Sequence, residues 1–192
     1  MKRSILLTIA FICFSIVSIN AQNGGMRAYV GTTVLSNNDG VATPGGSYHS
    51  GFHFGADGRL MSGNMSFVVG ARYTSVGTLP NEEFTVVPKE DRLNLMNGRG
   101  GLEITLLSIT DWFRFRTKAL ASFDVVLSNA KGVQPAPGYK LNDGWLGLVS
   151  GLGVDLGPAT LDVEYEFGII NAYNKRANSH FNSLTVSAGF FF

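Results

Sequence analysis

Apolar and polar residues alternate one by one along much of this chain, most clearly between residues 161 and 169. There Leu161, Val163, Tyr165, Phe167 and Ile169 alternate with Asp162, Glu164, Glu166 and Gly168. A period of two puts all the apolar side chains on one face of a β-strand, whereas a helix would mix both sets on every face. The alternation therefore predicts a strand with one apolar and one polar face.

Seven further segments follow the same rule: residues 27–36, 52–60, 65–74, 92–107, 113–127, 146–156 and 183–192. The segments 27–36 and 92–107 alternate less regularly than the others. Within the second of them, Gly98, Gly100 and Gly101 are candidates for a β-bulge. The count of predicted strands is eight.

The first 21 residues have the pattern of a secretory signal peptide. A basic Met1-Lys2-Arg3 start precedes an apolar run over residues 5–19 and an Asn20-Ala21-Gln22 cleavage region. The run is shorter than the roughly 20 residues that a spanning helix needs, so a retained anchor is the less favoured alternative. We expect cleavage after Ala21, which leaves residues 22–192 as one domain and removes Cys13, the single cysteine.

The composition excludes some partners and narrows the fold. Without Lys2 and Arg3, the 15 basic residues fall to 13 against 14 acidic ones, which gives no reason to expect nucleic acid as a partner. Charged residues make up only 15% of the chain, whereas soluble domains average about 25%. This deficit indicates a surface that largely avoids water. Since no apolar run after residue 21 approaches 18 residues, a closed β-barrel is the remaining way to span a bilayer.

The connections between predicted strands alternate in length. Residues 61–64, 108–111 and 156–159 are tight turns, whereas residues 37–50, 76–91, 129–143 and 172–182 are long loops. This alternation is typical of outer-membrane barrels, whose short turns lie in the periplasm. We therefore predict an all-β fold, an eight-stranded antiparallel transmembrane up-and-down barrel with longer extracellular loops, in the outer membrane of a Gram-negative bacterium.

The aromatic residues group by strand end, which predicts two aromatic belts at the membrane interfaces. Trp112, Phe113 and residues 190–192 are placed at the periplasmic ends. The residues placed at the outer ends are Tyr48, Phe52, Tyr73, Trp145, Tyr173 and Phe181.

The polar face of the predicted strands carries many charges, and an eight-stranded barrel is only wide enough to be filled by its own side chains. The predicted lumen charge network consists of Arg72, Glu103, Arg114, Arg116, Lys118, Asp124, Asp162, Glu164 and Glu166. His53, Asp57, Arg59 and Asp155 share the inward parity. Basic residues of the fifth strand should meet acidic residues of the seventh, so we predict a packed polar plug and not a pore. Phe191 also points inward and should close the periplasmic end.

Catalysis is not indicated. After the signal the chain has only His49, His53 and His180, and no GxSxG, HExxH or phosphate-loop motif accompanies them. We interpret these histidines as solvated loop or lumen groups, and we expect no catalytic residue, no cofactor and no metal site. The main alternative of another class is a secreted lipocalin-like barrel, which would bind a ligand inside an apolar lumen.

Four segments resemble the small outer-membrane β-barrel proteins of Bacteroidetes, a porin-family, OmpA/OmpX-like group. They are residues 101–107 (GLEITLL, with Thr105 where the family has proline), 125–132 (VVLSNAKG), 145–156 (WLGLVSGLGVDL) and 162–168 (DVEYEFG). The cleavage region is also typical of that phylum. The resemblance implies an outer-membrane location and a barrel architecture. Phe192, with Phe190, resembles the C-terminal aromatic signal that such barrels present to their insertion machinery.

The expected partners are thus outer-membrane lipid and, during assembly, the insertion machinery, while the partner of the extracellular loops stays open. We expect a monomer with a structural, surface-interaction or minor transport role. Members of the family also include a barrel associated with a secretion system, which is a further alternative.

Overall fold

The structure, a computed structural model, describes residues 24–37, 48–78, 92–110, 112–128, 141–174 and 179–192. The predicted signal peptide lies outside these ranges, as do most of the predicted loops 37–50, 76–91 and 129–143 and residues 175–178 of the fourth. Among the described residues no helix is long and apolar enough to cross a membrane.

Eight antiparallel strands form one closed barrel in chain order. Their bounds are β1 Gly24–Asn37, β2 Tyr48–Ser62, β3 Met65–Thr78, β4 Arg92–Thr110, β5 Phe113–Ser128, β6 Gly144–Leu156, β7 Ala159–Gly168 and β8 Phe181–Phe191. The barrel closes where β1 pairs with β8, from Arg27 opposite Phe191 to Asn37 opposite Phe181. The predicted fold, strand number and strand positions are confirmed.

The three predicted tight turns and both ends of the described chain lie at one end of the barrel, which we name the turn end. Gly63 and Gly157 occupy the β2–β3 and β6–β7 turns with φ of 62° and 61°, a left-handed conformation that favours glycine. The backbone of Phe192 exchanges two hydrogen bonds of 2.8 Å with Met26. We name the opposite end the loop end, because the longer connections leave from it.

The predicted bulge at Gly98, Gly100 and Gly101 is wrong. These glycines pair without interruption with both β3 and β5. The register of β4 against β5 instead shifts at three other places, between Asn94 and Leu95, Thr105 and Leu107, and Ser108 and Thr110. No side chain crowds Gly98, around which a Cβ atom would meet nothing within 4 Å. Gly98 and Gly100 thus lie on the outward face and Gly101 on the inward face, and none of them breaks the ladder.

The two faces of the barrel differ sharply in polarity. Leu, Val, Ile, Phe and Met side chains are exposed on the outward face of all eight strands, for example Val30, Phe54, Phe67, Leu148, Leu161 and Val186. Almost all the charged side chains of the strands point inward and are buried. The barrel is therefore inverted relative to a soluble protein, which follows directly from the period-two alternation of the sequence.

Candidate functional site

The centre of the barrel is filled by a layer of ion pairs, which we name the lumen network. Six basic and six acidic side chains are joined into one connected set: Arg27, Arg59, Arg72, Arg99, Arg116, Lys118, Asp57, Glu103, Asp155, Asp162, Glu164 and Glu166. The two signs balance within this set. Because buried charges are tolerated only when they are paired, this balance is what allows a charged layer in the middle of the fold.

Glu164 of β7 lies at the junction of this network. Its carboxylate accepts hydrogen bonds from Arg99 Nη1 at 2.7 Å, Lys118 Nζ at 2.8 Å and Arg72 Nη1 at 3.2 Å. These three donors come from β4, β5 and β3, respectively. One side chain of β7 therefore connects three strands with which β7 forms no backbone ladder. Asp57 of β2 plays the same part on the other side, since it pairs with both Arg99 and Arg27.

Two of the three β5 cations meet two of the three β7 anions as predicted, and glycines of the strand between them make these contacts possible. Glu166 pairs instead with Arg72 of β3. Arg116 and Lys118 both pair with Asp162, and Lys118 also pairs with Glu164, by passing over β6. The inward positions of β6 at these levels are Gly151 and Gly153. A Cβ atom on Gly153 would lie 2.7 Å from the guanidinium carbon of Arg116.

Two residues of the predicted network stand outside the ion pairs. Arg114, near the turn end, is half-buried and forms no ion pair with any described residue. Asp124 is buried and its partners in the described chain are an amide and a second carboxyl group: Asn97 Nδ2 donates to its Oδ2 at 3.0 Å, and it also hydrogen-bonds Glu166. Asp124 is therefore a buried carboxylate without a direct cationic partner among the described residues.

Two arginines of the network were missing from the sequence prediction. Arg27 pairs with Asp57 and Asp162, and Arg99 pairs with Asp57 and Glu164. Arg27 has the opposite parity to the outward Val30, and Arg99 the opposite parity to the outward Leu102, so the sequence does indicate that both arginines point inward. Each arginine, however, lies in one of the two segments that alternate least regularly. Arg99 also stacks on Tyr29, with its guanidinium carbon 4.8 Å from the ring centroid.

The turn end of the lumen is covered by Phe191, as predicted from its parity. Its ring is half-buried, and the guanidinium carbon of Arg59 lies 5.2 Å from the ring centroid. The neighbouring Phe190 and Phe192 point outward and are exposed.

The loop end of the lumen is filled by apolar side chains, which we name the outer cluster. It consists of Leu35, Val76, Leu93, Leu95, Leu141, Trp145, Ala172, Tyr173 and Phe181. Trp145, Tyr173 and Phe181 are thus buried inside the barrel, so their predicted place in an outer aromatic belt is wrong. The physical reason is parity, because Trp145 faces opposite to the outward Leu146 and Leu148.

Parts of two loops fold over this outer cluster. Leu141 and Tyr173 form an isolated β-bridge, and Asn142 donates from its backbone to the Ala172 carbonyl at 2.8 Å. The side chains of Leu141 and Tyr173 point into the mouth of the barrel and are buried. The lumen is therefore closed at the loop end by packed side chains as well as by the charges below them.

One small cavity separates the outer cluster from the lumen network. Its volume is about 10 Å³, and its lining includes Arg72, Asp124, Trp145, Glu166 and Phe181. A space of this size holds about one water molecule.

The histidines of β2 are buried lumen groups, so of the two predicted alternatives the lumen one holds for both His49 and His53. His49 is buried near the loop end. His53 is fully buried and its two ring nitrogens lie 2.7 Å from Thr33 Oγ1 and 2.8 Å from Ser187 Oγ. The Ser187–His53 spacing would suit a nucleophile and base, but both side chains are sealed between the outer cluster and the lumen network, where no substrate reaches them. In the part of the chain that the structure describes, no group of three or more His, Cys, Asp or Glu side chains is arranged to hold a metal ion.

No protein-family model and no curated protein matches the chain. Among solved structures the chain is similar to Neisserial surface protein A (NspA), with a TM-score of 0.54 and 14% sequence identity over 88% of this chain and 97% of that one. It is also similar to Ail, the attachment invasion locus protein of Yersinia pestis, with a TM-score of 0.43 and 13% identity over 89% of this chain and 100% of that one. The first similarity shows a shared fold.

Proposed function

We propose that this chain is an integral protein of the outer membrane of a Gram-negative bacterium, with a structural or surface-interaction role and a lumen that does not conduct. The observation that carries the proposal is the inverted polarity of the barrel. Large apolar side chains cover its outside, while a balanced set of charges fills its inside.

The polarity argument rests on the cost of exposing apolar surface to water. Exposed apolar area costs about 25 cal/mol per Å², and soluble monomers rarely carry one continuous apolar patch beyond a few hundred Å². Here the apolar side chains recur around the whole circumference, and the closed hydrogen-bond ladder leaves no free sheet edge along the paired strands. Both features suit the hydrocarbon core of a bilayer. A lipocalin-like carrier would need the opposite arrangement, with apolar side chains inside.

The turn end indicates how the barrel is oriented in the membrane. Short turns together with both strand termini are typical of the periplasmic side of bacterial barrels, which puts the loop end outside the cell. The shared fold with a Neisserial surface protein supports a surface location. The loops at this end are the part of the chain that would contact partners, whose identity stays open, and the barrel itself serves as their anchor.

The filled lumen supports a role other than bulk transport or catalysis. Phe191 covers the turn end, twelve paired charges fill the centre, and the outer cluster closes the loop end. The buried Ser187–His53 pair has no access to a substrate. We therefore infer a non-enzymatic barrel.

Fractionation of a Gram-negative host that expresses the full chain tests the location. The protein should be recovered with the outer membrane, resist a carbonate wash and run as a compact band on an unheated SDS gel. Recovery in the soluble periplasm would overturn the proposal.

Planar-bilayer recordings test the filled lumen. The wild-type protein should pass no steady current. As a matched comparison, the paired substitution Arg99→Ala with Glu164→Ala removes one cation and one anion together and should raise the current if side chains block the flow. Large steady wild-type currents would contradict a closed lumen.

A further inference from the structure

We propose that Arg92, at the loop end of β4, binds the phosphate of a lipid headgroup in the outer leaflet. The charged residues of the eight described strands provide the starting observation. All of them have inward parity except Arg92, which shares the outward face of β4 with Asn94, Met96 and Leu102. The proposal rests on the proposed membrane location.

The position of Arg92 coincides with the upper edge of the apolar belt. It pairs with Gly77 at the end of the β3–β4 ladder, four residues beyond the outward Met96. Below Asn94 the outward positions of β4 are apolar or small, so Arg92 and Asn94 lie where the outer surface changes from hydrocarbon-like to polar. Basic side chains at this depth extend towards the headgroups while their methylene stems stay against apolar surface.

The guanidinium is already positioned by an aromatic ring. Its carbon lies 5.8 Å from the centroid of Phe52, which is exposed on the outward face of β2. Arg92 forms no ion pair with any described residue. A guanidinium stacked on its face by a ring keeps its N–H groups free at the edge, which suits two parallel hydrogen bonds to phosphate oxygens.

Neighbouring polar side chains supply a second donor. Tyr73 donates to Asn94 Oδ1 at 2.9 Å, and Asn94 Nδ2 donates to Ser128 Oγ at 2.5 Å. This chain of hydrogen bonds uses Ser128 as an acceptor and leaves its O–H to donate outward. Asn94 lies two residues from Arg92 on the same face, with about 7 Å between their Cα atoms, and it is paired with Ser128 of β5. The Ser128 hydroxyl group therefore lies on the same outer surface as the Arg92 guanidinium.

The chemistry favours a phosphate and not a carboxylate-bearing or zwitterionic group. One fixed guanidinium with a hydroxyl donor nearby, and no carboxylate among the described residues of the same face, attracts a compact anion with several acceptor oxygens. The adjacent apolar belt of Phe52 and Phe54 would hold the acyl chains of the same molecule. A lipid is therefore the source that both parts of this surface fit.

Native mass spectrometry of the full chain released from detergent micelles tests the proposal. The probes are phosphatidic acid and phosphatidylcholine, added at equal concentration. Wild type should retain phosphatidic acid roughly tenfold better than phosphatidylcholine, and Arg92→Gln should bring that ratio close to one. Arg92→Lys, which keeps the charge but loses the planar fork, should retain an intermediate amount.

The matched control is Arg114→Gln, because Arg114 is also half-buried and unpaired among the described residues but faces the lumen. It should retain phosphatidic acid like wild type.

Equal retention by Arg92→Gln and wild type would overturn the proposal, as would equal retention of the two lipids by wild type. Displacement by millimolar inorganic phosphate would show a site for free phosphate and would also overturn it. If Arg92→Gln gives no compact gel band, Phe52→Ala replaces it, since loss of the stacking ring should also lower retention. Failure of the membrane assignment would appear separately, in the fractionation.

Discussion

Arg116 of β5 and Asp162 of β7 form a two-point ion pair, with Nη1–Oδ1 at 2.7 Å and Nη2–Oδ2 at 3.0 Å, although β6 lies between their strands. The pair passes over Gly153, whose missing side chain leaves the space. The glycine pattern of β6 and the charge patterns of β5 and β7 are therefore parts of one arrangement.

The first prediction concerns Gly153. Gly153→Ala should lower the free energy of unfolding by about 1–3 kcal/mol, because the new methyl group overlaps the Arg116–Asp162 pair. Gly98→Ala is the matched control, since it adds the same methyl group to an open outward position and should be neutral or slightly stabilising. Urea titration of the detergent-refolded variants measures both. Equal losses for the two would mean that the space above β6 is not used by the ion pair.

The second prediction separates paired from unpaired buried carboxylates. Glu164→Gln should cost about 3–5 kcal/mol, because Arg99 and Lys118 then lose a shared buried partner. Asp124→Asn changes an equally buried carboxyl group that hydrogen-bonds Asn97 and Glu166 but has no cationic partner among the described residues, so it should cost much less. The mid-points of thermal unfolding give the comparison. A surface control is Glu82→Gln, in a predicted loop outside the described residues, which should have no effect. A similar loss for Asp124→Asn and Glu164→Gln would count against the ion-pair explanation.

The third prediction uses the two tryptophans, which face opposite environments. Trp112 is 60% exposed at the turn end, whereas Trp145 is 3% exposed within the outer cluster. In vesicles, the emission of the Trp145→Phe variant, which reports on Trp112, should be quenched by brominated lipids. The Trp112→Phe variant, which reports on Trp145, should resist both brominated lipids and aqueous acrylamide. Strong quenching of Trp145 by brominated lipids would show that this side chain faces the membrane. That result would contradict its burial in the outer cluster at the loop end.

The alternation of the sequence was sufficient to predict the strands, their number, their faces and the short turns, because each of these depends on neighbours within one strand. The partners of the charges depend on register between strands, which a single strand does not encode. The role of Gly151 and Gly153 was missed for this reason, whereas Arg27 and Arg99 were missed because the alternation is least regular in their own segments. Trp145 shows a different failure, since its nearness to a strand end was weighed above its parity. The outer cluster includes residues of predicted loops, such as Tyr173, where no alternation exists to guide a prediction.

The last prediction separates assembly from final stability at the C-terminus. Phe192 is outward and 66% exposed, and its backbone closes the barrel against Met26. Phe192→Ala should lower the yield of assembled protein in cells several-fold, because the resemblance to other barrels implies a C-terminal aromatic signal. Phe67→Ala is the matched control: its ring is also exposed on the outward face, so it removes a comparable lipid contact from the middle of the chain. Each substitution should cost the refolded protein a similar amount, about 1–2 kcal/mol, in urea unfolding from vesicles. Only Phe192→Ala should reduce the compact band in whole-cell samples. If both variants assemble equally well, the terminal phenylalanine serves as lipid-facing surface alone.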